Sequence, residues 1–116
     1  MKRFILLVLV SLFYSGSASA GPCEGDIPSK SSGGTWCSNG DTGTIASDVT
    51  LTRDKQFSLV PSDNTTITNY GNILNDTNKT INTEAQYGGD NFTFNNKSTG
   101  VVRSTKSRAI WLRDNE

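Results

Sequence analysis

One recurrence constrains the fold of this 116-residue chain more than any other feature. Residues 66–73 read Thr-Ile-Thr-Asn-Tyr-Gly-Asn-Ile, the pattern of a strand, a polar turn with glycine and a second strand; residues 92–102 repeat it loosely. Aligning Gly71 with Gly100 gives a step of 29 residues. Repeats of roughly this length are typical of stacked architectures, because each unit buries its apolar face only against a neighbour.

The alignment predicts which residues stack. Ile73 is expected on Val102, and Ile81 on Ile110, since the same step separates both pairs. Apolar residues would alternate inward, with Thr and Asn pointing outward.

Two further predictions extend the repeat. Gly43 lies 28 residues before Gly71 and would open a third copy, although Gly25 fits the bare Gly-x-Ile pattern equally well without the spacing. Asn69 and Asn95 are candidates for a ladder of amides at a turn, as stacked coils can form.

Residues 1–20 have the pattern of a secretory signal peptide. Lys2 and Arg3 precede an apolar run at 4–14, and small residues follow it up to an Ala-Ser-Ala site that ends at Ala20. The run is too short to span about 30 Å of hydrocarbon, and no later segment is apolar enough for a helical span. We therefore expect export, to the periplasm, the cell surface or the medium.

The remaining chain is polar and nearly neutral. Of the 96 residues after Ala20, 26 are apolar and the net charge is −2, against roughly 45% apolar residues in typical globular domains. Low apolar content also fits disorder, but slight charge and frequent β-branched residues favour a polar β-structure with a thin core. Balanced charge gives no indication of a nucleic-acid partner.

Residues 21–43 form a Gly/Ser-rich segment that holds both cysteines, and we expect it to act as an N-terminal loop or cap. Cys23 and Cys37 are the only pair in an exported chain, which predicts a disulfide. A redox or metal pair is disfavoured, because the chain has neither Cys-x-x-Cys nor any histidine.

Residues 44–116 contain short runs rich in Thr, Val, Ile and Phe, each bounded by Gly, Asn or Asp. These are strand and turn signals, and no helical periodicity of useful length occurs. The predicted fold class is all-β, a short parallel β-helix of about three coils. Its open end would make the chain prone to self-association.

The C-terminal portion is locally basic. Alternation along a strand would spread these side chains over a solvated face; the alternative is a patch for acidic glycans or phosphates. The residues concerned are Lys97, Arg103, Lys106, Arg108 and Arg113.

Three short motifs invite catalytic or metal readings, and each is better explained as a turn. The Asp-Thr-Gly at 41–43 lacks the apolar strand that precedes an aspartic-protease loop, the Ser-Asp-Asn at 62–64 has no Ser-x-x-Lys beside it, and the Gly-Gly-Asp at 88–90 is not repeated. With no histidine and no free thiol, we expect no enzymatic activity, no cofactor and no metal.

Two segments carry a family resemblance. Residues 66–73 resemble the T-I-T-N-x-G-x-I coil of autotransporter passenger domains from Gram-negative bacteria, and residues 108–112 resemble the A-I-x-L strand of such coils. The resemblance implies a right-handed parallel β-helix that is threaded through an outer-membrane barrel. No barrel segment is present here, so we interpret the chain as a truncated passenger or a stand-alone small relative.

The resemblance implies an adhesion or interaction module that binds a host or cell-surface protein or glycan. Candidate contact residues are Trp36, Tyr70 and Tyr87, because aromatic side chains dominate binding hot spots; for Trp111, packing within the coil is the favoured role. The alternative is a free-standing small secreted binding or inhibitor protein, in which the cysteine loop presents Trp36. A third class, a hydrolase on the same β-helix scaffold, rests on an argument from fold alone.

Overall fold

The computed structural model describes residues 21–52, 57–83 and 88–112. The predicted signal peptide, Tyr87 and Arg113 lie outside these ranges. Within them the regular secondary structure consists of strands: β1 (Gly25–Asp26), β2 (Thr35–Trp36), β3 (Thr42–Ile45), β4 (Thr50–Leu51), β5 (Leu59–Val60), β6 (Thr66–Asn69), β7 (Asn72–Asn75), β8 (Ile81–Asn82), β9 (Thr93–Asn96), β10 (Val101–Ser104) and β11 (Ile110–Trp111).

The strands form three parallel sheets. The first sheet has the order β1-β3-β6-β9, the second β4-β7-β10 and the third β2-β5-β8-β11. A parallel bridge between Lys30 and Leu51 extends the second sheet by one coil. The chain visits the three sheets in rotation, so the fold is a short, three-sided parallel β-solenoid, which confirms the predicted fold class.

The described residues complete four coils rather than three. The additional coil comes from segment 21–43, which contributes β1 and β2 at one end of the first and third sheets. The predicted loop is therefore part of the stack. We call the coil through β1 and β2 the first coil, and the coil through β9, β10 and β11 the last coil.

The predicted stacking pairs are confirmed in register. Val102 pairs with Ile73 in the second sheet, and Ile110 pairs with Ile81 in the third. Burial alternates along β6 and β7 as expected, with apolar or amide side chains inward and every second residue facing solvent.

The proposed third copy was aligned wrongly. Gly43 pairs with Ile67 in the next coil and with Gly25 in the coil before, so the two Gly-x-Ile segments pair with each other, and Gly43 does not pair with Gly71. The cause is a variable coil length: partners on the first sheet are 18, 24 and 27 residues apart. A constant step cannot predict register across loops of different length.

The predicted amide ladder exists, but its second member was wrong. Asn69 pairs with Asn96 rather than Asn95, and its Nδ2 donates to Asn96 Oδ1 at 2.9 Å. Between the first and second sheets the last coil holds two residues more than the coil before it. The glycine alignment therefore does not carry over to the preceding strand.

Close approach of neighbouring coils explains the two glycines of the sequence repeat. A Cβ on Gly71 would overlap the carbonyl oxygens of Ala46 and Val49, and a Cβ on Gly100 would overlap that of Asn69. Only glycine fits where the chain turns against the backbone of the coil before it.

A second corner repeats at the entry to the first sheet. Gly40, Asn64 and Asn91 each stand two residues before a strand, and all three have positive φ, of 81°, 56° and 57°. Glycine and asparagine are the residues that adopt this left-handed conformation most readily.

The core is a narrow column of apolar side chains. Its buried members are Cys23, Ile27, Ile45, Leu51, Leu59, Ile67, Ile73 and Ile81. Each buried aliphatic side chain contributes about 1.5–3 kcal/mol relative to exposure. In the last coil the column is incomplete: Phe94 and Val102 are only partly buried, and Ile110 is 40% exposed.

Candidate interaction surfaces

The disulfide lies inside the first coil. Cys23 and Cys37 are bonded, as predicted, and Cys23 is fully buried. The Asp41 carboxylate supports the same region, because its Oδ2 accepts hydrogen bonds from the backbone N–H of Cys23 at 3.0 Å and of Ser38 at 2.9 Å. Asp41 is itself buried, which gives the Asp-Thr-Gly motif a structural role.

The two candidate aromatics within the described residues do not form one patch. Trp36 is 39% exposed on β2, in the third sheet, whereas Tyr70 is 41% exposed at the corner between the first and second sheets. A ligand that contacts both would have to wrap around the solenoid. Tyr87 lies outside the described residues.

Trp111 is partly buried beneath two cations. The Arg108 guanidinium carbon lies 3.6 Å from the ring centroid, and the Lys79 Nζ lies 4.4 Å from it. Cation–π contacts of this kind contribute about 0.5–1 kcal/mol at exposed sites. They occupy the face of the ring, which favours a packing role for Trp111.

Basic side chains concentrate on the last coil. Of the described residues 88–112, four carry positive charge, namely Lys97, Arg103, Lys106 and Arg108, and all four are exposed. Asp90 is the one acidic residue in that range. The charges follow the turns and the outer side of β10 rather than one flat strand face.

Sequence reasoning missed an exposed asparagine ladder along one corner. Asn64 Nδ2 donates to Asn39 Oδ1 at 3.3 Å, and Asn91 Nδ2 donates to Asn64 Oδ1 at 3.0 Å. The turn motifs at 62–64 and 88–90 lie at this corner, where Asp63 Oδ1 accepts from the N–H groups of Gly89 and Asp90. The signal in the sequence was an Asn two or three residues before each of β3, β6 and β9, all of which begin with Thr.

Hydroxyl groups tie each coil to the next. Ser58 Oγ donates to the Leu74 carbonyl, Thr80 Oγ1 to that of Arg103 and Thr83 Oγ1 to that of Trp111. These Ser and Thr side chains are buried and satisfied, so they stabilise the stack and are not candidates for nucleophilic chemistry.

One buried amide has no hydrogen-bond partner. Asn82 is fully buried, and neither its Nδ2 nor its Oδ1 is hydrogen-bonded. In the third sheet Asn82 pairs in register with Trp111 of the last coil.

Across the described ranges, no group of three or more His, Cys, Asp or Glu side chains is placed to hold a metal ion. Those ranges also contain no helix of the length and apolarity needed to cross a membrane. No protein-family model, curated protein or solved structure matches this chain.

Proposed function

We propose that this chain is an exported interaction module of the autotransporter passenger type. The observation that carries the proposal is the Cys23–Cys37 bond within the first coil. Structural disulfides form and persist in oxidising compartments outside the cytoplasm. The signal-like pattern at residues 1–20 agrees with such an export route.

The surface available for binding is long, polar and built from stacked strands. It offers the exposed Asn39–Asn64–Asn91 corner and two separated aromatics rather than a single cluster. A surface of this kind binds through many contacts of modest strength. The partner class is a host or cell-surface protein or glycan.

The competing proposal is a free-standing secreted binding or inhibitor protein. Trp36 favours it, since this exposed tryptophan stands directly before Cys37 and is held by the disulfide-bonded coil. Tryptophan is one of the residue types enriched among the few side chains that dominate a binding site.

Export is tested by expressing the full chain and fractionating the cells. We expect a mature chain that starts at Gly21, lies outside the cytoplasm and is two hydrogens lighter by mass spectrometry before reduction than after it. A cytoplasmic chain with free thiols would overturn the proposal.

Binding is tested by presenting the exported protein to a glycan array and to immobilised extracellular-matrix proteins. For a passenger-type surface we expect Trp36→Ala and Tyr70→Ala each to weaken binding by less than about threefold, with Ser98→Ala as the exposed control. A loss of more than about tenfold with Trp36→Ala alone would favour the secreted binder. No binding above an albumin control on either surface would contradict both proposals.

A further inference from the structure

The two ends of the solenoid differ in what they leave uncovered. At the last coil, strands β9 and β10 are four residues long and β11 is two, and each is the outermost strand of its sheet among the described residues. Beside them the apolar column ends in partly exposed side chains, with Ile110 at 40% and Leu112 at 62%. Outer strands with apolar neighbours are templates for a further strand.

The hydrogen-bonding groups of β10 can be assigned to sides. The N–H groups of Val101 and Thr105 donate to Gly71 and Asn75 of the preceding coil, at 2.8 and 3.1 Å. In a parallel pair, alternate residues bond to the same neighbour. Val102 and Ser104 therefore direct their N–H and C=O groups away from β7, toward the outer edge.

Charge surrounds this same edge. Arg103 is exposed on β10 itself, Lys97 lies in the turn before it and Lys106 in the turn after it, whereas Arg108 lies over the Trp111 ring of the third sheet. A strand added here would lie beside three exposed cations, and the described last coil holds one acidic residue. An acidic strand is favoured and a basic one is repelled.

A second copy of the chain fits this edge poorly. If the last coils of two copies paired with each other, their basic side chains would repel. The first coil is closed: its outer strands are two residues long, Pro22 and Pro28 flank β1, and the apolar side chains of Cys23 and Ile27 are 0% and 2% exposed. Short strands and prolines are the usual devices that prevent edge pairing.

We infer that the outer edge of β10 is a docking site for an extended, acidic polypeptide segment, which adds to the second sheet as a strand. Backbone bonds to Val102 and Ser104 would give affinity, and the cations would select acidic side chains, as in other cases of β-strand addition. The inference rests on the proposed function and names the partner class of the same module.

The test uses the exported protein and three acetylated peptides of about six residues, the usual strand length. One alternates Glu with Val, one alternates Lys with Val, and the third is the Glu peptide with N-methylated amides along one edge. We expect the Glu peptide to bind at least about tenfold more tightly than the Lys peptide, because several exposed ion pairs act together. Its binding should weaken with salt, and N-methylation should abolish it.

Two variants locate the site. Val102→Pro removes the outward N–H of β10 without touching the bonds to β7, and proline is tolerated at such edge positions; Val102→Thr keeps the N–H and is the matched control. Arg103→Glu is exposed and reverses one charge. We expect the proline variant to lose binding, the threonine variant to retain it and Arg103→Glu to weaken it, with amide shifts in the wild type centred on Val102 and Ser104.

Three outcomes would overturn the inference. These are equal binding of the Glu and Lys peptides, no binding of the Glu peptide, and self-association by sedimentation velocity that Val102→Pro abolishes, which would make a second copy the occupant. If peptide binding fails while export and matrix or glycan binding persist, the docking site falls and the proposed function stands. If the chain is not exported, the proposed function falls instead.

Discussion

The first and last coils have the same path through the three sheets but opposite properties. In the first coil a disulfide joins Cys23 to Cys37, and Ile27 is buried. In the last coil no such bond exists, and Ile110, at the inward position of β11, is 40% exposed. The parallel path of the chain determines the backbone pairing of both coils. Whether the apolar side chains of an end coil are buried depends on what covers the end of the solenoid.

Charge divides the two coils in the same way. Described residues 21–52 hold four acidic side chains, Glu24, Asp26, Asp41 and Asp48, against the single base Lys30, whereas residues 88–112 hold four bases against one acid. The net charge of the whole chain is therefore nearly zero, although the local charge changes from negative to positive along the solenoid axis. The closed end is acidic and the open end is basic, which is the basis for assigning different roles to them.

Hydrogen exchange should reveal the largest difference between the coils. We expect amides of β3, β6 and β7 to exchange only by global opening, and those after about residue 100 to exchange by local opening that costs several kcal/mol less. The reason is that, among the described residues, β9, β10 and β11 have no strand on their outer side and Ile110 is 40% exposed, whereas the buried Ile27 and the disulfide close the first coil. Uniformly strong protection through Trp111 would contradict an open end and would favour a complete small fold.

Removing the disulfide should make the first coil less stable and so more similar to the last coil. For the double substitution of Cys23 and Cys37 to Ala we expect a loss of about 3 kcal/mol in the free energy of unfolding, from the sequence separation of 14 residues. Urea denaturation measures it, and reduced wild-type protein is the control. A loss below about 0.5 kcal/mol would mean that packing alone closes the first coil.

A matched pair of isoleucines compares the coils directly. Ile27→Ala should cost about 2–4 kcal/mol, since Ile27 is 2% exposed and leaves a cavity. Ile110→Ala should cost about 1 kcal/mol or less, because 40% of that side chain already contacts water. Equal costs in urea denaturation would show that Ile110 is covered in solution, by a second copy or by another segment.

The sequence was sufficient to predict the solenoid and the register of its last two coils in the second and third sheets, but not the register elsewhere. The recurrence around Gly71 and Gly100 identified two adjacent coils, and both predicted pairs, Ile73 with Val102 and Ile81 with Ile110, are correct. This succeeded because those two coils have the same length in the second and third sheets. Where the loop length changes between coils, as between Gly43 and its partner Ile67, a constant step fails and only the structure shows which residues pair.

The interaction surfaces were less predictable than the fold. Exposure of Trp36 and Tyr70 was expected, but nothing local in the sequence indicates that they lie on different sides of the solenoid. The Asn39–Asn64–Asn91 corner also went unseen, because its members are 25 and 27 residues apart. Long-range stacking decides such surfaces, and a single sequence records it only through the repeat.

Asn82 lies in the third coil and pairs in register with Trp111 of the last coil. Its amide is fully buried without a hydrogen bond. Burying such a group unsatisfied costs about 1–3 kcal/mol. Because leucine has a similar shape and no polar atoms, Asn82→Leu should raise the free energy of unfolding by about 1 kcal/mol.

Asn75→Leu is the matched control in the same coil and should have the opposite sign. The Asn75 amide is satisfied: Oδ1 accepts from the N–H groups of Thr77 and Asn78, and Nδ2 donates to the Lys79 carbonyl. Replacing it leaves those backbone groups without a partner, at a cost of about 1–3 kcal/mol. If urea denaturation shows Asn82→Leu to be destabilising as well, the Asn82 amide has a hydrogen-bond partner in solution.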